Sequence, residues 1–107
     1  MGDYPATIAG LTRHVQFRAC VQKDAGPTDV EVELFDVSVG GGQVSLLSYS
    51  ATNDLTEVSS GDLTVGSGAT DIRSDIDAIY EASVRRVGGA PGDLVYLTNA
   101  RVVIFYS

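Results

Sequence analysis

The chain has few of the residues that build most catalytic and metal-binding sites. Its 107 residues include one cysteine, one histidine and no tryptophan. A zinc-type site needs several His or Cys ligands at short spacing, so that class is excluded. Cys20 cannot form an internal disulfide, and we expect a small, half-buried side chain on the polar side of its strand. We expect His14 to be a solvated or hydrogen-bonded side chain at a strand start.

Nucleophilic catalysis requires a nucleophile beside a positioned base, and the sequence shows no such pair. The glycine-rich segments do not open a helix or precede a Lys-Ser/Thr pair, so they do not form a phosphate-binding loop. The sequence therefore predicts a protein that is not an enzyme and that needs no cofactor.

Positive charge is also scarce. Fourteen acidic residues stand against seven Lys and Arg, which gives a net charge of −7. Nucleic-acid binding requires a basic face that replaces the counterions on phosphates. Anionic membrane surfaces also attract basic segments. No apolar run approaches the length of a membrane span. Neither nucleic acid nor a membrane is predicted as a partner.

The first residues, MGDYPATIAG, lack the basic start and the apolar segment of a secretory signal. We expect Met1 to be a natural start and the protein to be made in a cytoplasm. Residues 1–12 are predicted to form an N-terminal arm that packs on its own domain or on a neighbour, with Tyr4 extended before Pro5. Residues 13–107 are predicted to form a single β-sandwich domain.

Short alternating runs of apolar and polar residues are what the sequence does contain. In His14–Gln22 the side chains of Val15, Phe17, Ala19 and Val21 point one way, as in an antiparallel sheet with one buried face. Further strands are predicted at Val30–Val39, Gln43–Ser50, Leu55–Val58, Leu63–Val65 and Ile79–Val87.

Several of these segments carry irregularities. In Val30–Val39 the apolar positions change parity, which predicts a bulge that turns Phe35, Val37 and Val39 towards the core. The tripeptide Ser60-Gly61-Asp62 is predicted to join two short strands. Thr70–Ala78 is predicted to be a loop or a single helical turn.

The most apolar stretch is Asp93–Tyr106, DLVYLTNARVVIFY. As one straight strand it would span about 45 Å, too long for a small domain. We therefore predict two strand segments, Leu94–Leu97 and Arg101–Tyr106, joined by a bulge at Asn99.

The bulge sets which side chains of the last segment share a face. Val102, Ile104 and Tyr106 are predicted on one face, and Val103 and Phe105 on the other. Both faces are apolar, so we expect the outer one to be covered by a loop or by another subunit. Together the segments predict an all-β fold, an antiparallel jelly-roll-like β-sandwich of about eight short strands with at most one short helical turn.

Three aspartates, Asp71, Asp75 and Asp77, lie close together in TDIRSDID. Carboxylates are the oxygen ligands that calcium prefers, so they are candidates for a calcium site. Arg73 lies among them, and their spacing differs from the helix–loop–helix calcium loop. The alternative is a solvated acidic loop whose aspartates cap turns.

The order of the predicted strands and turns resembles that of jelly-roll β-sandwich domains. The resemblance lies in Val30–Gly41 (VEVELFDVSVGG), Ile79–Asp93 (IYEASVRRVGGAPGD) and Leu94–Ile104 (LVYLTNARVVI). Similar domains occur in tailed-phage virion proteins and in galactose-binding-like carbohydrate modules. The phage resemblance implies a capsid decoration, cement or tail component located in the virion. It also implies a homo-oligomer, often a trimer, that contacts other virion proteins.

Three hypotheses about function follow. The first is a structural protein that assembles through apolar area that one domain cannot cover. Its candidate interface residues are Tyr4, Ile8, Leu11, Val103 and Phe105. The second is a glycan-binding module, with or without calcium, that uses loop residues near Tyr49 and Asp71–Asp77. The third, a small enzyme, would require a preformed pocket that holds His14 with a carboxylate.

Overall fold

A computed structural model describes residues 4–23, 29–38, 42–49, 55–88 and 94–107. Within these ranges the chain forms strands and no helix, so the predicted all-β class is confirmed. The strands are β1 (Thr7–Ile8), β2 (Leu11–Lys23), β3 (Asp29–Asp36), β4 (Gly42–Tyr49), β5 (Thr56–Asp62), β6 (Val65–Gly66), β7 (Ile72–Arg73), β8 (Tyr80–Val87) and β9 (Val95–Tyr106).

Two antiparallel sheets face each other. In one sheet β2 lies between β5 and β9 and also pairs with β1, and in the other β3 lies between β4 and β8. The sheets meet where β2 contacts β3, β4 contacts β5 and β8 contacts β9. The short strands β6 and β7 form a separate parallel pair. β2 pairs with the last strand and β3 with the strand before it, a nested arrangement like that of a jelly roll.

The core lies between β2 and β3. On β2 the predicted alternation is confirmed, since the four side chains that were expected to face inward are fully buried. The buried apolar residues are Val15, Phe17, Ala19, Val21, Val30, Val32, Leu34, Leu47 and Ile72. Burial of this area is the main source of stability for a domain without disulfides.

The predicted change of parity in β3 is wrong. Asp36 is fully buried on the core face, whereas Phe35 is half-buried and Val37 is 42% exposed. Val39, the third residue of that prediction, lies outside the described residues. The irregularity lies in the neighbouring strand: Leu34 pairs with Ser45 but Phe35 pairs with Gln43, so the extra residue belongs to β4.

Asp36 has polar partners in its buried position. Its Oδ1 accepts hydrogen bonds from the backbone N–H of Ser38, at 3.0 Å, and from the Ser38 hydroxyl. Its Oδ2 lies 3.8 Å from Nη1 of Arg73 and accepts no hydrogen bond. A buried carboxylate persists when it is paired with an opposite charge, and Arg73 provides that charge.

The predicted joint at Ser60-Gly61-Asp62 is also wrong, because β5 runs through it from Thr56 to Asp62. The glycine marks a bulge: Gly61 has φ +69°, and the register between β2 and β5 shifts beside it. The Ser60 hydroxyl accepts a hydrogen bond from Phe17 N at 2.9 Å. A glycine in a bulge and a glycine in a turn look alike in the sequence.

The predicted bulge at Asn99 is confirmed. Asn99 has φ +53°, and β9 carries one extra residue between the partners of Arg18 and Cys20. Before the bulge Leu97 lies opposite the buried Val21, and after it Ile104 lies opposite the buried Val15. The predicted sharing of faces in the last segment therefore holds.

The described part of the N-terminal arm packs on its own domain. Ala9 and Gly10, with φ +50° and +82°, form the two-residue turn between β1 and β2. Arg13 N donates to the Ala6 carbonyl at 2.9 Å. The Tyr106 hydroxyl donates to the Pro5 carbonyl at 2.8 Å.

Candidate functional site

One face of the β5–β2–β9 sheet points away from the second sheet, and we call it the outer face. It carries His14, Gln16, Arg18 and Cys20 from β2, Glu57, Ser59 and Asp62 from β5, and Thr98, Arg101, Val103 and Phe105 from β9. Side chains opposite one another on neighbouring strands lie close enough to interact. The outer face is therefore a continuous row of cross-strand contacts.

Phe105 is the largest apolar side chain on the outer face. It is 36% exposed, and its ring stacks on His14 with centroids 5.0 Å apart and an interplanar angle of 18°. The guanidinium carbon of Arg18 lies 5.6 Å from the ring centroid, within reach of a cation–π contact. Val103 is half-buried and lies opposite Gln16. Polar neighbours thus orient Phe105 and leave part of its ring open to solvent.

Glu57 links two arginines at the other end of the outer face. Its carboxylate lies 2.6 Å from Nη2 of Arg101 and 3.9 Å from Nη1 of Arg18. The hydrogen bond from Arg101 lowers the pKa of Glu57 below its ordinary value, and the same bond raises the pKa of Arg101. Arg18 also donates to Gln16 Oε1 at 3.0 Å. Cys20, half-buried as expected, lies between Glu57 and Thr98.

His14 has a carboxylate on one side and a hydroxyl on the other. Its Nδ1 lies 2.8 Å from Asp62 Oδ2, and its Nε2 lies 2.7 Å from Ser107 Oγ. Gln16 donates to the other oxygen of Asp62 at 2.9 Å. Hydrogen bonds from Gln16 and then from His14 lower the pKa of Asp62. His14 is thus a hydrogen-bonded side chain on the polar face, as expected.

Sequence reasoning did not find the partners of His14. Asp62 and Ser107 are 48 and 93 positions away along the chain. Only the pairing of β2 with both β5 and β9 brings the three residues together. No local motif signals that pairing, so the sequence offered no way to find it.

The five predicted interface residues do not form one patch. Val103 and Phe105 lie on the outer face. Leu11 has the parity of Val15, so it points to the opposite side of β2, and Ile8 lies opposite Leu11. Tyr4, Ile8 and Leu11 are each about half exposed, at 49%, 46% and 46%. The arm and the last strand therefore offer two separate apolar surfaces.

A cavity of about 270 Å³ opens where β9 meets the segment that leads into β8. It is lined by Ile72, Arg73, Ile76, Asp77, Ala78, Tyr80 and Val102. The guanidinium of Arg73 donates two hydrogen bonds of 2.9 Å to Asp75, which raise the pKa of Arg73. The cavity combines apolar walls with a cation, a carboxylate and a phenol ring. None of the residues around His14 lines it.

The three aspartates of the calcium hypothesis have different surroundings. Asp71 Oδ2 accepts a hydrogen bond from Gly68 N at 3.0 Å and so caps a turn. Asp75 pairs with Arg73, and Asp77 lines the cavity. Across the described segments no group of three or more His, Cys, Asp or Glu side chains could hold a metal ion. The side chain of Tyr49, named in the glycan hypothesis, lies outside the described residues.

Comparison of the chain with protein-family models, with curated proteins and with solved structures finds no match. In the part of the chain that the structure describes, no helix is long and apolar enough to cross a membrane. The function must therefore be inferred from the placement of the protein's own residues.

Proposed function

We propose that the protein is a structural protein that assembles into a larger particle, a phage virion, as a decoration, cement or tail component. The observation that supports this role is the exposure of β9. None of its 12 residues is fully buried. Tyr96, Val102 and Phe105 are exposed by more than a third. Apolar area of this kind is characteristic of surfaces that become covered on assembly.

The position of β9 in its sheet supports the same role. Among the described strands only β2 pairs with β9, so one edge of β9 is without a strand partner. Monomeric proteins protect long edge strands with lysine, proline or covering loops. The segment Val102–Tyr106 carries neither lysine nor proline. A neighbouring subunit could cover both this edge and the adjoining outer face.

The charge of the outer face permits self-association in spite of the net charge of −7. On this face Arg18 and Arg101 both lie within 4 Å of Glu57, and Asp62 pairs with His14. Two arginines are thus matched by two carboxylates, so the local charges balance. Repulsion between copies depends on the charges that approach one another within about 10 Å at ordinary ionic strength. Two copies that meet through the outer face therefore repel each other less than the net charge of the whole chain would suggest.

Substitution of Phe105 tests the proposal. Phe105→Glu places a carboxylate on the surface that the subunits would share but next to Arg18, so we expect the monomer to remain folded while assembly is lost. Leu46→Glu is the matched control, because Leu46 is 44% exposed on β4 in the other sheet. Light scattering after size exclusion should give a monomer for Phe105→Glu and the wild-type mass for Leu46→Glu, with unchanged circular dichroism. Equal masses for both variants, or unfolding of Phe105→Glu, would contradict the proposal.

A second candidate function is glycan binding, and the cavity favours it. The cavity lies on the acidic segment that the sequence singled out, and it presents Tyr80, Arg73 and Asp77 beside apolar walls. Small-molecule sites combine apolar lining with a few polar groups in this way. Glycan-array binding that is lost in Asp77→Asn and kept in the presence of a chelator would assign glycan binding to the cavity. An array without signal would remove this candidate.

A further inference from the structure

Beyond an assembly role, we propose that Ser107, His14 and Asp62 form an acyl-transfer triad in which the Ser107 hydroxyl is the nucleophile. The distances are those of a nucleophile, a base and an orienting carboxylate: 2.7 Å from Ser107 Oγ to His14 Nε2, and 2.8 Å from His14 Nδ1 to Asp62 Oδ2. With Nδ1–H donating to Asp62, the free Nε2 accepts the hydrogen bond from the serine.

Each member of the triad is held by contacts outside it. Gln16 donates to the second oxygen of Asp62 at 2.9 Å. The ring of Phe105 stacks on the imidazole. The backbone of Ser107 forms two hydrogen bonds with Thr12, of 3.0 and 3.1 Å. His14 and Asp62 therefore lie on the paired strands β2 and β5, and Ser107, the residue after β9, is held by its backbone pairing with Thr12.

The chemistry is transfer of an acyl group from an ester. Ser107 Oγ attacks the ester carbonyl while His14 Nε2 takes the hydroxyl proton. The tetrahedral intermediate then expels the alkoxide, which takes this proton from His14 Nε2 and leaves as an alcohol. Water, deprotonated by His14, then attacks the acyl-serine, and His14 returns the proton to Ser107 as the acid is released. Asp62 is a positioning residue that keeps Nδ1 protonated and stabilises the imidazolium.

The surroundings of the triad define its substrate class. The cavity lies elsewhere, and Ser107 is exposed. Among the described residues the triad lies on an open surface, which suits small, unhindered esters and does not select a particular acyl or alcohol group. The three residues of the triad include no donor for the oxyanion, and loss of a single oxyanion donor slows acyl transfer by about 100- to 1,000-fold. We therefore expect slow turnover. Covalent capture of the serine is therefore a better readout than turnover.

A fluorophosphonate probe tests the proposal on the whole protein at the lowest practical concentration, where the outer face is free. Mass spectrometry should find one adduct, on Ser107. The adduct should be absent in Ser107→Ala and should form about 100-fold more slowly in His14→Gln. Ser59→Ala, which removes another serine of the outer face, should label like the wild type.

Asp62→Asn should slow labelling and change its pH profile, which loss of a merely structural contact would not do. No adduct, an adduct on another serine, or equal labelling of His14→Gln and the wild type would overturn the triad. Ser107→Ala should keep the wild-type solution mass, so a failure of the triad and a failure of the assembly proposal can be told apart.

Discussion

The two faces of β2 are stabilised in different ways. On the inner face Val15, Phe17, Ala19 and Val21 are at most 2% exposed. On the outer face His14, Gln16 and Arg18 form hydrogen bonds to side chains of their own or neighbouring strands. Apolar burial is insensitive to the direction of contact, whereas hydrogen bonds fix distances and angles. The inner face therefore maintains the fold, and the outer face carries oriented groups that can serve a function.

The largest expected difference in unfolding free energy is between alanine substitutions of two phenylalanines on opposite faces of the sheet. Phe17→Ala removes a fully buried ring and should cost about 3–5 kcal/mol of unfolding free energy. Phe105→Ala removes a ring that is partly open to water and should cost about 1 kcal/mol or less. Urea denaturation followed by circular dichroism measures both. Equal losses would show that the outer face belongs to the core.

A second pair compares a buried charge with an exposed one. Asp36→Ala removes the fully buried partner of Arg73, whose side chain is 9% exposed, and should cost about 3 kcal/mol. Glu57→Gln breaks a pair on the outer face and should cost clearly less, because solvent already screens it. The denaturation midpoints give the order, and a wild-type midpoint for Asp36→Ala would contradict it.

The smallest expected effect is a pH dependence of the outer face. The pKa values of Glu57 and Asp62 are lowered from 4.5 and 3.8, so the folded state binds fewer protons than the unfolded state. Their contribution to stability is complete above these ordinary values and is lost as the pH falls through the lower folded values. The melting temperature should decline in this acid range, and less steeply in Glu57→Gln. Identical profiles of melting temperature against pH for the wild type and Glu57→Gln would show that Glu57 does not contribute to the pH dependence.

Much of the fold could be predicted because local alternation reports burial directly. The alternation of β2 and the bulge at Asn99 followed from residue types within a few positions. The burial of Asp36 could not be predicted from residue types within a few positions. The extra residue lies in β4, so β3 keeps its regular alternation. The sequence of one strand carries no information about the register of the neighbouring strand. Gly61 was wrongly predicted to lie in a joint between two strands, because glycine is equally compatible with a bulge and with a turn.

The site was predictable only in part for the same reason. Val103 and Phe105 were placed on one face by alternation alone. The grouping of His14 with Asp62 and Ser107 depends on which strands pair, and pairing between distant segments leaves no local pattern. Leu11 was a candidate interface residue as part of the N-terminal arm, and the parity of β2 places it on the side of the sheet opposite to Phe105.

The claim that the exposed apolar area of β9 serves assembly is tested most directly by the solution mass of the unaltered protein. Light scattering after size exclusion should be carried out at several protein concentrations. The proposal predicts a stable multiple of the monomer mass, three if the resemblance to phage proteins extends to stoichiometry. A monomer that persists at the highest concentration would contradict it and would favour glycan binding.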